Sequence, residues 1–204
     1  MQSTNPKDIL TTLHLIRAAL ASGLMRKEEI IDWADKIITK DEKPDIFFID
    51  LALSSSKNTN EILHYFNDYL NFENPAINGR PLLGLLYREF KNGHYNLEQA
   101  VAKLFRLKFE AIFNEKEEGN IYSIDDAYDL AKHNTYGTLN DVENELIQFL
   151  SLYKDYSIDN FEQWQSLDKI LDLKLEQDYE RHLEEVKKYN SVKNESKRSW
   201  WKFW

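Results

Sequence analysis

The chain has 204 residues, of which 42% are hydrophobic and 13% aromatic, and it contains no cysteine. This length and apolar content suit a folded chain with a substantial core and exclude a disordered one. The absence of cysteine excludes disulfides, thiolate metal sites and a cysteine nucleophile. Six glycines and four prolines are few for this length, which disfavours an all-β fold.

The formal net charge of −9 is unevenly distributed along the chain. Residues 187–204 carry six basic residues and one acidic residue, whereas the preceding 186 residues carry 20 basic and 34 acidic residues. A body with a charge of −14 repels phosphate backbones, so we expect no nucleic-acid partner. A basic partner protein is electrostatically favoured, although acidity that merely keeps the protein soluble is the alternative.

Two features of the sequence bear on location. The N-terminal residues MQSTNPKDIL lack the basic stretch and apolar run of a secretory signal. No stretch approaches 18 uninterrupted apolar residues, the length needed to span a membrane. We therefore expect a cytoplasmic protein.

Four helices are predicted in the first 70 residues, each from a capping residue, a proline or a stripe of apolar residues at helical spacing. Their predicted starts are Asn5-Pro6, Lys27, Pro44, and Asn58 or Asn60. Residues 71–81 are rich in turn-forming residues and predict a loop.

Five further helices are predicted after this loop. Their predicted starts are Pro81, Asn96, Ser123, Thr138 and Asp159. The sixth is expected to carry Ile112 and Phe113 and to be followed by an acidic loop, NEKEEGN, over residues 114–120. Ser123 with Asp126, and Thr138 with Asp141, each resemble a capping box. The last and longest helix is predicted to run to about residue 189.

The short links between these helices predict antiparallel helical hairpins. No sequence signature recurs at a fixed period, which disfavours a regular solenoid. The predicted fold is therefore all-α, an irregular multi-helix bundle of about nine helices. We expect a single all-helical domain over residues 1–190 and a basic, tryptophan-rich tail over residues 191–204.

Two pairs of residues suit a metal or acid–base site. Glu61 and His64 lie three apart on one helical face, as in di-iron bundles, but such sites need a second copy of this motif and further glutamates. Asp129 and His133 lie four apart, so the carboxylate can orient the imidazole as a general base. No nucleophile or second metal-ligand motif accompanies either pair. We therefore expect no catalytic residue, no metal and no cofactor, and keep a helical metal-dependent enzyme as an alternative.

The segment KNESKRSWWKFW at the C-terminus combines basic and aromatic residues. Trp200, Trp201 and Trp204 suit the membrane–water interface, where indoles lie at headgroup level, and they also suit a protein interface. Weak membrane-surface contact through this tail, or a scaffold protein held by it, is a further alternative. A tail that folds back over the protein is the structural alternative.

Residues 28–54, EEIIDWADKIITKDEKPDIFFIDLALS, resemble a pattern of small helical bacterial proteins that include immunity proteins of toxin systems. The matching residues are Trp33, Ala34, Asp35, Pro44, Leu51, Leu53 and Ser54. The resemblance implies a protein that neutralises a cognate toxin by direct binding, and it assigns no functional residue.

These observations favour a non-enzymatic, protein-binding protein, most specifically an immunity-type inhibitor of a bacterial toxin. A negative surface would speed its encounter with a basic toxin domain. The predicted contacts are acidic residues of the predicted loop and of the helix after it: Glu115, Glu117, Glu118, Asp125, Asp126 and Asp129.

Overall fold

A computed structural model of the chain describes residues 5–70 and 76–177. These residues form helices and no strand, which confirms the predicted all-α fold. The helices are α1 (Leu10–Ala21), α2 (Lys27–Lys40), α3 (Ile46–Ala52), α4 (Thr59–Tyr69), α5 (Arg80–Lys91), α6 (Leu97–Leu107), α7 (Glu115–Lys132) and α8 (Leu139–Ser151). A ninth helix, α9, begins at residue 164, and its described part ends at residue 177.

The chain divides into two compact units, Met1–Phe161 and Glu162–Trp204. The first unit contains α1 to α8, and the described part of the second is α9. The boundary predicted between residues 190 and 191 lies outside the described residues. None of the helices in the described ranges is both long and apolar enough to cross a membrane.

One helix–turn–helix corner recurs three times in the first unit, joining α1 to α2, α5 to α6, and α7 to α8. The second residue after each first helix has a positive φ: Gly23 (71°), Gly93 (75°) and Asn134 (53°). The amide of the following residue donates a hydrogen bond to the carbonyl five residues before it: Leu24 to Ala19, His94 to Glu89, and Thr135 to Leu130. This is the Schellman arrangement, and it explains why glycine or asparagine occupies the turn.

The start of the second helix of each corner is fixed by the side chain of that helix's third residue. Its third residue accepts a hydrogen bond from the backbone amide of the residue that precedes the helix: Glu29 from Arg26 (2.9 Å), Gln99 from Asn96 (3.0 Å) and Asp141 from Thr138 (3.2 Å). At Asn96 and Thr138 the side chain accepts in return from the amide of that third residue, which makes the cap reciprocal. At Arg26 the Glu29 amide donates instead to the backbone carbonyl, at 3.1 Å. Both sides of each corner are therefore determined locally. The capping box predicted at Thr138 and Asp141 is confirmed.

The first unit consists of two halves, residues 5–70 and 76–157, whose helices pack in the same order. In the first half α4 packs on α1 and α3 on α2; in the second, α8 packs on α5 and α7 on α6. Contact between α1 and α5 joins the halves. The halves also differ: the second adds close packing of α7 on α8 and of α5 on α6, and α7 has 18 residues where α3 has seven. At 1.5 Å per residue, α7 is roughly 16 Å longer.

The core of the first half is aromatic. Phe47, Phe48 and Phe66 are fully buried, and Trp33 from α2 meets Phe48 edge-on with 5.7 Å between ring centroids. Edge-to-face pairs of this kind add to the free energy gained from burying apolar area. The segment that carries the resemblance to immunity proteins thus forms α2, an acidic link and α3, and contributes much of this core.

A buried ion pair holds the start of α7 in the second half. The Glu117 carboxylate accepts hydrogen bonds from Nε of Arg80 at 2.7 Å and from the hydroxyl of Tyr153 at 3.2 Å. Its other oxygen accepts from the backbone amide of Asn114 at 3.0 Å. Arg80 begins α5 and Tyr153 follows α8, so one carboxylate connects three parts of the half. Burial, and then the neighbouring Glu117 charge, raise the pKa of the Tyr153 phenol, so it stays a hydrogen-bond donor.

Gly84 of α5 allows this close packing. A Cβ at Gly84 would lie 2.5 Å from the carbonyl oxygen of Tyr153, a backbone atom that cannot move aside independently. The segment after α8 therefore rests directly on the backbone of α5.

Three predicted details around α7 are wrong. α6 ends at Leu107, so Ile112 and Phe113 lie outside it, and Ile112 instead forms an isolated backbone bridge with Asn78. The acidic loop predicted over residues 114–120 is the beginning of α7. Asn114 caps that helix, with Glu117 as the reciprocal partner, and this cap outweighs the cost of Gly119 in the helix interior. Ser123 consequently lies in the middle of α7 and does not cap a helix.

We expect Glu117→Ala to lower the free energy of unfolding by about 3 kcal/mol, because the substitution removes a buried counter-charge and the acceptor of three hydrogen bonds. Urea denaturation followed by circular dichroism measures this change. Glu118→Ala, at an exposed residue of the same helical turn, is the matched control and should cost less than about 0.5 kcal/mol. Equal effects of the two substitutions would show that the buried network does not hold α7.

Candidate functional site

The α7–α8 hairpin carries most of the net charge of the chain. Residues 115–151 contain nine acidic and two basic residues, a formal charge of −7 against −9 for the whole chain. Every residue from 132 to 141, the turn between the two helices and its flanks, is exposed. The hairpin therefore combines a strong negative charge with an exposed turn.

A groove of about 730 Å³ lies between α7 and α8. Each helix lines it with residues at positions i, i+3, i+4 and i+7, which form one face over two helical turns. The α7 row is Ser123, Asp126, Ala127 and Leu130, and the α8 row is Thr138, Asp141, Val142 and Glu145. Tyr136 and Gly137 from the connecting turn also line it. We call this site the acidic groove.

The acidic groove combines apolar surface with carboxylates. Val142 is buried beneath it, whereas Leu130 is 40% and Tyr136 79% exposed. The side chains of Asp126 and Glu145 form no hydrogen bond or ion pair with any other described residue, and both residues are exposed. The groove thus presents hydrated negative charges beside accessible apolar atoms.

Local hydrogen bonds fix the geometry of the groove. The Thr138 hydroxyl donates to the Asp141 carboxylate at 2.7 Å, and the Asp141 amide donates to that hydroxyl at 3.2 Å. Asp141 is therefore a capping residue as well as a groove residue. The Schellman turn at Asn134 fixes the α7 side in the same way. Both walls are held by regular secondary structure, which keeps a binding surface preorganised.

Asp125 does not line the groove. Partial burial, and then repulsion from Asp126 and Asp129, raise the pKa of the Asp125 carboxyl, while Lys108 acts in the opposite direction. Lys108 in turn lies over the Tyr122 ring, with 3.3 Å between Nζ and the ring centroid. Asp125 thus belongs to the side of α7 that faces α6.

The structure separates the six predicted contact residues. Only Asp126 lines the groove. Glu115 and Glu118 are exposed on the first turn of α7, and Asp129 is exposed near its C-terminal end. Glu117 is buried, with its carboxylate bound to Arg80 and Tyr153, so in this structure it is not accessible to a partner.

The two pairs considered for catalysis are exposed. Asp129 Oδ1 lies 3.3 Å from His133 Nδ1, with 74% and 64% of the two side chains exposed. Glu61 serves as the capping partner of Asn58, and His64 is exposed on α4. Within residues 5–70 and 76–177, no group of three or more His, Asp or Glu side chains is placed to hold a metal ion. The tail residues Trp200, Trp201 and Trp204 lie outside the described residues.

Sequence analysis missed most of the groove residues. Leu130, Tyr136 and Glu145 carry no motif by themselves, and Ser123 was assigned to a cap. The i, i+3, i+4, i+7 pattern of small, acidic and apolar residues on both helices was the available signal. This pattern becomes recognisable on α7 only when the helix is taken to begin at Glu115.

We expect Asp125→Asn to raise the melting temperature at pH 7. A carboxyl whose pKa is higher in the folded state destabilises that state as pH rises through this pKa, so removing its charge stabilises the protein at neutral pH. The gain should vanish below about pH 3, where the carboxyl is protonated in both states. Thermal unfolding at the two pH values measures it. Asp32→Asn, at an exposed position of α2, is the control, and a gain independent of pH would contradict the assignment.

Comparison with known proteins gives no further assignment, since no protein-family model, no curated protein and no solved structure matches the chain significantly.

Proposed function

We propose that this protein is a non-enzymatic binding protein that contacts a basic protein partner through the acidic groove. The observation that carries the proposal is the juxtaposition of exposed Tyr136 and Leu130 with the uncompensated carboxylates of Asp126 and Glu145. Apolar and charged groups are here presented together on two helices and the turn that connects them.

The composition of the groove supports this role. Tyrosine is enriched at the energetically dominant positions of protein interfaces, where its ring is buried and its hydroxyl hydrogen-bonds. Exposed carboxylates contribute little static affinity, but they accelerate encounter with a positively charged partner. The two kinds of group therefore supply complementary parts of recognition, namely residence time and association rate.

More specifically, we propose an immunity-type inhibitor that neutralises a bacterial toxin by direct binding. The resemblance over residues 28–54 supports this class, and the negative surface suits a basic toxin domain. The resembling segment forms part of the scaffold of the first half, whereas the groove belongs to the second half.

Two experiments test the class of function. Isolation of the complex from natively expressed protein, followed by cross-linking and mass spectrometry, should place the partner on α7 and α8. Expression of that partner alone should stop growth of the host, and co-expression with this protein should restore it. A partner that leaves growth unaffected would exclude the toxin-inhibitor role and keep the binding role.

We expect the double substitution Asp126→Lys, Glu145→Lys to slow association with the isolated partner about tenfold at low ionic strength and to weaken its salt dependence, because electrostatic steering would be reversed. Stopped-flow measurements over a range of salt concentrations measure both effects. Asp32→Lys with Glu143→Lys, at exposed positions outside the groove, changes the net charge by the same amount and is the control for charge reversal alone. Association rates unchanged in the double variant would remove the groove from the contact surface.

A further inference from the structure

The dimensions of the acidic groove suit the binding of a third helix. Its two rows each extend over two turns, or about 10 Å along the helix axes. Antiparallel helices leave a continuous channel between them, and an amphipathic helix laid in such a channel buries residues at i, i+3, i+4 and i+7. The two rows include Ala127, Leu130 and Val142, whose apolar atoms line the groove and would contact the apolar stripe of such a helix.

Both walls of the groove also carry carboxylates. Asp126 is on the α7 wall, and Asp141 and Glu145 are one helical turn apart on the α8 wall. In a helix whose apolar stripe occupies heptad positions a and d, the residues that flank the stripe are e and g. Positive side chains at e and g would therefore face the two acidic walls at the same time.

From this geometry we infer that the groove binds an amphipathic helix with an apolar a/d stripe and Lys or Arg at the flanking e and g positions. The inference deepens the proposed function, on which it rests, because it specifies the structure and chemistry of the partner segment. Charge alone does not define the ligand: the basic residues must lie beside the apolar stripe and not opposite it.

Two synthetic peptides of identical composition test this requirement. Both carry Leu at a and d and are about 20 residues long, so that they are able to form a helix in solution. The first has Lys at e and g with Gln at b and f, and the second exchanges Lys and Gln between these positions. Fluorescence anisotropy with the full-length protein, at peptide concentrations where sedimentation shows monomers, should give at least about fivefold tighter binding of the first peptide.

Protein variants assign the binding to the groove. Asp126→Asn with Glu145→Gln should weaken binding of the first peptide about five- to tenfold, since two charge pairs are lost. Asp32→Asn with Glu143→Gln removes the same charge from exposed positions outside the groove and should change binding less than twofold. Circular dichroism of both variants checks that the helices are intact.

Several results would overturn the inference. Equal binding of the two peptides would show attraction by net charge alone, and no binding of either would exclude a helical ligand of this class. If a peptide made of residues 187–204 binds more tightly than the first synthetic peptide, the groove would be assigned to the chain's own basic segment. Self-association of the protein that is lost in Asp126→Asn, Glu145→Gln would assign it to a second copy.

The proposed function fails in a different experiment. Cross-links from the native partner that avoid α7 and α8 would exclude the groove as the contact surface, whatever the peptides do. Cross-links on α7 and α8 together with failure of the peptides would keep the binding function and reject only the helical ligand.

Discussion

The position of α7 depends on the buried carboxylate of Glu117. A charge that is only 4% exposed is costly to desolvate, and here three donors from different parts of the second half compensate it. Only a small range of positions of the Glu117 carboxylate allows hydrogen bonds to Arg80, Tyr153 and the Asn114 amide at the same time. The first turn of α7 is thereby fixed against α5 and against the segment that follows α8. That segment approaches α5 closely because Gly84 has no side chain, which would otherwise clash with Tyr153.

A fixed start determines where the far end of a helix lies. α7 rises about 27 Å over its 18 residues as one continuous helix. The direction of its first turn, which the Glu117 network fixes, therefore sets the position of its C-terminal half. The corner at Asn134 and the Thr138 cap then return the chain as α8. The two walls of the acidic groove are consequently held from both ends. A partner that binds there meets a surface whose backbone entropy was already lost on folding, which lowers the entropic cost of association.

Features determined by neighbouring residues were predictable from the sequence, and features determined by distant residues were not. The caps at Asn58, Asn96 and Thr138 are confirmed because each is a local interaction over three residues. The loop predicted over residues 114–120 is wrong because Asn114 and Glu117 form a capping box that begins a helix there. The burial of Glu117 depends on Arg80, 37 residues earlier in the chain. The groove depends on how α7 and α8 are rotated about their axes, which a single helical periodicity does not specify.

The exposure of Asp129 and His133 is unfavourable for acid–base chemistry at this pair. A general base gains its effect where water is excluded and a second group fixes the reacting atom. Asp129 and His133, at the end of α7, have well over half of each side chain in solvent, so water screens their interaction. The same exposure does not weaken long-range attraction of a basic partner, because steering acts before contact, through solvent and over a Debye length of about 8 Å. In the proposed complex, burial of Tyr136 and Leu130 would remove water from around Asp126 and Glu145, and each charge pair formed there would be stronger than at the free surface.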